Sequence, residues 1–140
     1  MNRKLNISLF AIWSALMFYG ILLPADSMPK DLSFFFNIPF LDKVVHSIMF
    51  GGFSFFLFWL FSWEKHFKAS MIKVFIIASF FGIITEVMQY IFASIINRTG
   101  DFRDFIADEV GILLALLLCY FIIKKGWVKK KRHRKSKKNI

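Results

Sequence analysis

The sequence predicts an all-α fold, a four-helix transmembrane bundle with both termini cytoplasmic and short outer loops. The mean hydropathy of the 140 residues is +0.57, 57% of them are hydrophobic, and four apolar stretches are each close to the length that crosses a bilayer. Soluble domains contain about 45–50% apolar residues, whereas a membrane-spanning helix needs about 20 of them in succession. Each stretch must be helical, because an unpaired backbone group in lipid costs several kcal/mol.

The four spans are expected at about residues 5–23, 44–63, 71–92 and 105–123. They form one predicted membrane domain, residues 1–123, which is followed by a basic tail, residues 124–140. Arg3 and Lys4 precede the first span, as they would precede a signal peptide, but no convincing small-x-small cleavage site precedes Pro24. We therefore expect the first span to remain as a membrane helix.

The lysine and arginine residues predict the orientation. Fifteen of the nineteen lie at the N-terminus, between spans two and three, or in the tail, and four lie on the opposite side. Because such residues accumulate on the cytoplasmic side, both termini are predicted to be cytoplasmic. Of the nine acidic residues, only Glu64 lies on that side.

The basic tail raises the question of a nucleic-acid partner, since basic segments neutralise phosphates. No folded nucleic-acid module accompanies the tail. We expect it to act as a topology anchor that also contacts anionic lipid headgroups, and we predict no nucleic-acid partner.

The cysteine content excludes several kinds of scaffold and metal site. Cys119 is the only cysteine, which excludes a disulfide scaffold and haem, iron–sulfur and cysteine–zinc sites. Cys119 lies among leucines deep in the fourth span, where we expect it to pack rather than to act as a nucleophile.

Unusual polar residues gather at the predicted outer ends of three spans and in the loop between two of them. They are Asp42, Lys43, His46, Glu86, Gln89, Arg98, Asp101, Arg103, Asp104, Asp108 and Glu109. Glu86 is the strongest signal, because it lies about six residues, or roughly 9 Å, inside the end of its span. A carboxylate at that depth costs about 2.5 kcal/mol or more and usually faces the bundle interior with a partner.

Small and polar residues recur at helical spacing in three spans, which predicts that these faces pack against one another. The sets are Ser47, Gly51 and Ser54 in span two, Ser79, Gly82, Glu86 and Gln89 in span three, and Asp104, Asp108, Gly111 and Ala115 in span four.

Purely structural roles are also open for several of these residues. In that interpretation Glu86 pairs with Arg98, Asp104 caps a helix, His46 hydrogen-bonds Asp42, and Gln89 satisfies a loop carbonyl.

Three blocks of this sequence resemble the VanZ-like family. The family pattern is D-K-x-x-H, then E-x-x-Q, then R-x5-D-x3-N-x2-G, and it is matched in order by residues 42–46, 86–89 and 98–111. The resemblance covers roughly residues 40–120, and it departs from the pattern at Asp108, where the family usually has Asn. It implies a multi-pass protein of the bacterial cytoplasmic membrane, in a family whose namesake is linked to low-level resistance to the glycopeptide teicoplanin.

The polar residues and the resemblance together predict an outward-facing site that binds or modifies an amphiphile. Membrane lipids, lipid-linked cell-wall intermediates and lipoglycopeptides are the expected partners. His46 and Glu86 are the candidate catalytic acid or base. The candidate binding residues are Asp42, Lys43, Gln89, Arg98, Asp104 and Asp108, with Arg98 suited to hold a phosphate or carboxylate.

Alternatives remain open at this point. A divalent metal on His46, Glu86, Asp104 and Asp108 would suit mixed nitrogen and oxygen ligands, but no HExxH-type motif supports it, so we predict no metal and no cofactor. A small proton-coupled transporter is a second hypothesis, although transport sites more often lie near the bilayer midplane. A non-catalytic accessory protein is a third. The sequence leaves the oligomeric state, the ligand and the presence of enzymatic activity undecided.

Overall fold

The computed structural model describes residues 3–22, 40–61, 67–96 and 100–136, and it describes side chains within those ranges except at residues 22, 96 and 127–136. The described residues form five helices and no strand: α1 (Arg3–Leu22), α2 (Leu41–Phe61), α3 (Phe67–Ile91), α4 (Ala93–Ile96) and α5 (Phe102–Ser136). Four of them, α1, α2, α3 and α5, are long and apolar enough to cross a membrane. The predicted all-α bundle of four spanning helices is confirmed.

The observed helices are longer than the predicted spans at several ends. α2 begins at Leu41 rather than near residue 44, and α3 begins at Phe67 rather than near residue 71. α5 does not end at Ile123 but continues to Ser136, although its candidate spanning part ends at Gly126. Much of the predicted basic tail therefore continues the last helix.

Two local features fix where α2 and α5 begin. Phe40 has a positive φ of 66° and its carbonyl accepts the amide of Val44 at 3.1 Å, so α2 starts immediately after it. Before α5, the Asp101 carboxylate accepts the Arg103 amide at 2.9 Å. This is the bond of a helix N-cap, so the interpretation of Asp104 as the cap is wrong: Asp101 caps α5, which leaves the Asp104 side chain available for another partner.

The α2–α5 contact is the most extensive in the bundle, and small residues make it close. A Cβ added to Gly111 would overlap the backbone carbonyl of Ser47, and one added to Gly51 would lie 3.2 Å from the Gly111 carbonyl oxygen. The Ser47 hydroxyl donates to the Ala107 carbonyl at 2.7 Å. The predicted packing of the two small-residue faces is confirmed for α2 and α5.

The other two spans pack around this pair. α1 lies against α2, where the Trp13 indole N–H donates to the Met49 carbonyl at 2.9 Å. α3 packs on both α2 and α5. A buried core that includes Met17, Phe50, Phe58 and Ile112 joins the four helices.

Large apolar side chains cover the outside of the bundle. Leu16, Ile76 and Leu114 are each about 60% exposed, whereas fully buried positions include polar residues such as Ser54 and Asp108. Apolar residues outside and polar residues inside are the arrangement that a lipid environment favours.

Candidate functional site

Side chains from α2, α3 and α5 meet at one end of the bundle, which we call the polar end. They form two neighbouring groups. The inner triad, from three different helices, consists of His46, Glu86 and Asp108. The rim is made of Asp42, Lys43, Asp101 and Asp104, and its members are bonded through the Lys43 ammonium.

Within the inner triad, His46 and Asp108 form a direct pair. Nδ1 of His46 lies 2.9 Å from Oδ1 of Asp108. The Asp108 residue is 0% exposed and His46 is 8% exposed. The pair connects the first turns of α2 to the first turns of α5, 62 residues apart in sequence, so the α2–α5 packing aligns it.

Glu86 is held from the loop before α5. Its Oε2 accepts the backbone amide of Asp101 at 3.0 Å. The preceding residue must be small, because a Cβ on Gly100 would lie 2.8 Å from the Glu86 carbonyl oxygen and 3.2 Å from Oε2. Gly100 therefore allows the loop to press against α3 and to orient this carboxylate.

Each of the two triad carboxylates keeps one buried oxygen without a hydrogen bond. These atoms are Oδ2 of Asp108 and Oε1 of Glu86, and no described residue partners either of them. One ligand atom from each of His46, Glu86 and Asp108 lies within 4.8 Å of the other two. Buried polar atoms are rarely left unsatisfied, so this arrangement is suited to a ligand that supplies hydrogen bonds or positive charge.

In the rim, Lys43 bonds to three carboxylates. Its ammonium lies 2.7 Å from Asp42 and 3.5 Å from Asp101, and it also contacts Asp104. Asp104 is only 8% exposed. The Arg103 backbone amide, together with Lys43, holds the pKa of the Asp101 carboxyl below its ordinary value. Lys43 thus compensates part of the negative charge of the rim.

The polar end is nevertheless acidic. Among its described residues, six carboxylates face two cations, which are Lys43 and Arg103: the carboxylates are those of Asp42, Glu86, Asp101, Asp104, Asp108 and Glu109. Such an excess favours ligands that carry amines, hydroxyl groups or a metal ion over a bare anion.

Two apolar grooves open on the sides of the bundle next to these groups. A groove of about 870 Å³ runs along α2 and α5 below Lys43, and its walls include Val44, Phe55 and Leu114. A second groove, of about 450 Å³, has Glu86 itself in its wall. That groove is otherwise lined by Ile83, Val87, Tyr90, Gly100, Phe102 and Phe105.

Comparison with known families identifies the group to which this bundle belongs. A sequence profile described as VanZ/LLP1 matches residues 2–124. The chain belongs to the VanZ/LLP1 family. The match extends beyond the motif blocks to include α1, so the family domain contains α1, α2, α3 and α5 up to residue 124. Neither the curated proteins nor the solved structures contain a match to the chain.

The VanZ-like motif blocks occupy the polar end of this family domain. The D-K-x-x-H block forms the first turns of α2, E-x-x-Q lies near the end of α3, and the third block runs through the start of α5. The alternative in which His46 bonds Asp42 is wrong, because the ring nitrogen Nδ1 contacts Asp108. Arg98 lies outside the described residues, and so does its alternative pairing with Glu86.

Gln89, the last residue of the E-x-x-Q block, connects α3 to α1. Its side-chain amide donates to the Ile21 carbonyl at 3.4 Å. In the alternative structural role the acceptor was a loop carbonyl, whereas Ile21 lies in the last turn of α1. Gln89 is only 2% exposed, and this burial supports a role in joining helices at the polar end.

Two polar residues contribute more than the sequence indicated. Asp101 caps α5, contacts Lys43 and donates its backbone amide to Glu86. Glu109 accepts the Ser79 hydroxyl at 3.0 Å and so joins α5 to α3. Both stand at the predicted outer end in the sequence, but their partners depend on which helices pack together.

Cys119 lies apart from the polar end. It is fully buried in the apolar core and is eleven residues after Asp108 on α5, or about 16 Å along the helix axis. Its position agrees with the expected packing role.

Proposed function

We propose that this VanZ/LLP1 chain is a protein of the bacterial cell envelope whose polar end faces outward and binds the polar head of an amphiphile. The amphiphile is a lipid-linked cell-wall intermediate or a lipoglycopeptide. Its head contacts the inner triad and the rim, and its acyl chain lies in an apolar groove on the side of the bundle. In this proposal both termini are cytoplasmic.

One observation carries the proposal: Glu86 belongs at once to the inner triad and to the wall of a lipid-facing apolar groove. A molecule that lies in that groove would place its polar end beside the unpartnered oxygens of Glu86 and Asp108. Ligand sites usually combine a mostly apolar wall with a few convergent polar groups. An amphiphile that diffuses laterally in the bilayer meets both conditions.

The acidic character of the polar end indicates which headgroups fit. Ionised carboxylates only accept hydrogen bonds, so amines and sugar hydroxyl groups are the complementary donors. Lipoglycopeptides and lipid-linked saccharides supply such groups together with an acyl or isoprenoid chain. Lys43 and Arg98 remain the proposed contacts for any phosphate or carboxylate on the same ligand.

The outward orientation is supported by the charge distribution. Fifteen of the nineteen lysines and arginines belong to the opposite end of the spans and to the segments joined to it, which the positive-inside rule assigns to the cytoplasm. The polar end then faces the compartment where lipid-linked cell-wall intermediates are used and where lipoglycopeptides arrive.

The same geometry is compatible with chemistry on the bound molecule. A carboxylate that orients an imidazole, as Asp108 orients His46, is a common arrangement for a general base. The Ser47 hydroxyl at this end already donates to a backbone carbonyl. Because that hydroxyl proton is already used, Ser47 is not assigned a role as a nucleophile. Any catalysis would use His46 or Glu86 to move a proton to or from a bound group or a water.

The test is a lipoglycopeptide susceptibility assay in cells that express the full chain at matched membrane abundance. Wild type should raise the inhibitory concentration severalfold, and Glu86→Gln and His46→Ala should each abolish that protection. Ile76→Ala is the matched control, because Ile76 is exposed on α3 and lines neither of the two grooves described above. It should protect like wild type.

Equal protection by wild type and both triad variants would show that the polar end is only scaffolding. Absence of protection in every strain would remove the lipoglycopeptide from the proposal, and the same variants would then be compared for photo-crosslinking to lipid-linked saccharides. Loss of protection by Ile76→Ala as well would indicate a folding effect and would also contradict the site.

A further inference from the structure

We infer that the inner triad of His46, Glu86 and Asp108 is a binding site for a divalent transition-metal ion, with Zn²⁺ as the best match to its ligands. The sequence predicts no metal here, and the ligand set it considered included Asp104. Asp104 instead contacts Lys43 in the rim, so the geometry reduces the set to three residues from three helices.

The ligand chemistry fits zinc. Zn²⁺ is bound by imidazole nitrogen and carboxylate oxygen at about 2.0–2.2 Å, and three protein ligands that leave one position open are typical of its reactive sites. Neighbouring ligands around a tetrahedral ion are then about 3.3 Å apart. Nδ1 of His46 and Oδ1 of Asp108 are 2.9 Å apart, and all three ligand atoms lie within 4.8 Å of one another. Movements of about an ångström would bring them onto one ion.

An independent observation indicates that something binds in this cluster. Asp108 is 0% exposed, yet its Oδ2 has no hydrogen-bond partner among the described residues. Oε1 of Glu86 is also buried and also has no hydrogen-bond partner in the described part of the bundle. A buried carboxylate and a half-buried one this close together repel each other, and the lysine at this end is already bonded to the rim. A dication would satisfy both oxygens and compensate both charges.

A nearby interaction would hold one of the ligands in place. The Asp101 amide fixes the other oxygen of Glu86 at 3.0 Å. Such outer contacts orient ligands and typically change metal affinity by about 10–100-fold. Because Glu86 also lines the second groove, an oxygen of the proposed headgroup would be the natural fourth ligand.

This inference concerns the same cluster as the proposed function, but zinc binding can be measured without any amphiphile. The full chain is reconstituted in lipid nanodiscs, stripped with EDTA, desalted and dialysed against micromolar ZnCl₂. Bound zinc is then measured by mass spectrometry, and the unfolding temperature is compared with and without zinc, because an ion that binds the folded state raises it.

Wild type should hold one zinc per chain and unfold at a higher temperature when zinc is present. His46→Ala and Asp108→Asn should weaken zinc binding at least about tenfold and lose the thermal shift. His66→Ala with His133→Ala is the matched control. It removes the other two histidines of the chain and should bind zinc like wild type.

Wild type that holds less than about a fifth of an equivalent of zinc would overturn the inference. So would loss of zinc in the His66/His133 control, or full retention of zinc in both triad variants. Circular dichroism of each stripped variant establishes that it is folded. If zinc fails to bind but protection in the susceptibility assay still depends on Glu86, the metal site is rejected and the proposed function is kept. If zinc binds and no protection is seen, the metal site is kept and the lipoglycopeptide is rejected as the ligand.

Discussion

At the scale of single residues, the polar end depends on a pairing between two buried groups that can each carry charge. Asp108 stands where the VanZ-like pattern usually has Asn, and the structure shows that its neighbour is His46 at 2.9 Å. An acid in this place adds an ionisable group to a buried site that the usual amide would not. This substitution gives the chain a third ligand-type side chain next to His46 and Glu86.

We expect His46→Ala to destabilise the metal-free protein by about 3 kcal/mol, because removal of one partner leaves a buried carboxylate uncompensated. Asp108→Asn should cost at most about 1 kcal/mol, since an amide can still accept the imidazole N–H. The measurement is unfolding in detergent monitored by circular dichroism. Val110→Ala, at an exposed position on α5, serves as the control, and equal losses for the two site variants would contradict the pairing.

Asp101 gives a prediction about pH. Its pKa is lowered because the ionised carboxylate accepts the Arg103 amide and lies near Lys43. A lowered folded-state pKa means that the stabilisation is full above the ordinary value of 3.8 and disappears as pH falls through the folded-state pKa. Wild type should therefore have a higher unfolding temperature than Asp101→Ala at pH 7, and the difference should shrink in acid.

The matched variant is Asp101→Asn, whose amide oxygen can cap the helix at any pH. Its advantage over Asp101→Ala should be nearly independent of pH. A wild-type advantage over Asp101→Ala that stays constant from pH 7 into acid would show that the ionised cap contributes nothing.

At the scale of helices, the contact between α2 and α5 determines the site, because each provides one member of the His46–Asp108 pair. The two helices approach closely at Ser47, Gly51 and Gly111. A wider separation would pull His46 away from Asp108 even if both helices stayed intact. Small residues in this contact are therefore a condition for the site as well as for the fold.

Gly111→Ala tests this condition. The new Cβ would overlap the Ser47 carbonyl, and overpacking of this kind typically costs about 1–3 kcal/mol. Gly126→Ala is the matched control on the same helix, because its new Cβ would meet nothing within 4 Å and Ala is the better helix former. Unfolding in detergent should distinguish the two variants, and equal stability would contradict the close packing.

At the scale of the whole molecule, three of the four spans bring their acidic groups to one end, and the charge distribution predicts which side of the membrane that end faces. A protein with fifteen of its nineteen basic residues on one side has a strong orientation preference. The proposed ligands reach the site only if the polar end is outside.

Cysteine labelling measures this orientation directly. Cys119→Ala removes the only cysteine. Single cysteines are then placed by Ser94→Cys, at an exposed position on α4 near the polar end, or by Ser136→Cys at the end of α5. A membrane-impermeant maleimide should label the first variant in intact cells and the second only after the membrane is opened. The reverse labelling would place the polar end in the cytoplasm and exclude the proposed ligands.

Much of this protein follows from composition and spacing alone. Apolar stretches of about 20 residues must become helices in lipid, so the number of spans, the exposure of their apolar faces and the depth of Glu86 are fixed by local physics. The spacing of Ser47, Gly51 and Gly111 also predicts a close helix contact. These properties depend on single segments, and a sequence records them directly.

The partners of the polar side chains were decided only by the tertiary structure. His46 could bond Asp42 on its own helix, yet it contacts Asp108, which is 62 residues away. A cap was the alternative structural role for Asp104, yet Asp101 caps the helix and Asp104 contacts Lys43. Each side chain has several partners within reach along its own segment, and the rotation and separation of the packed helices select among them. Those two quantities come from the side-chain packing of all the spans together.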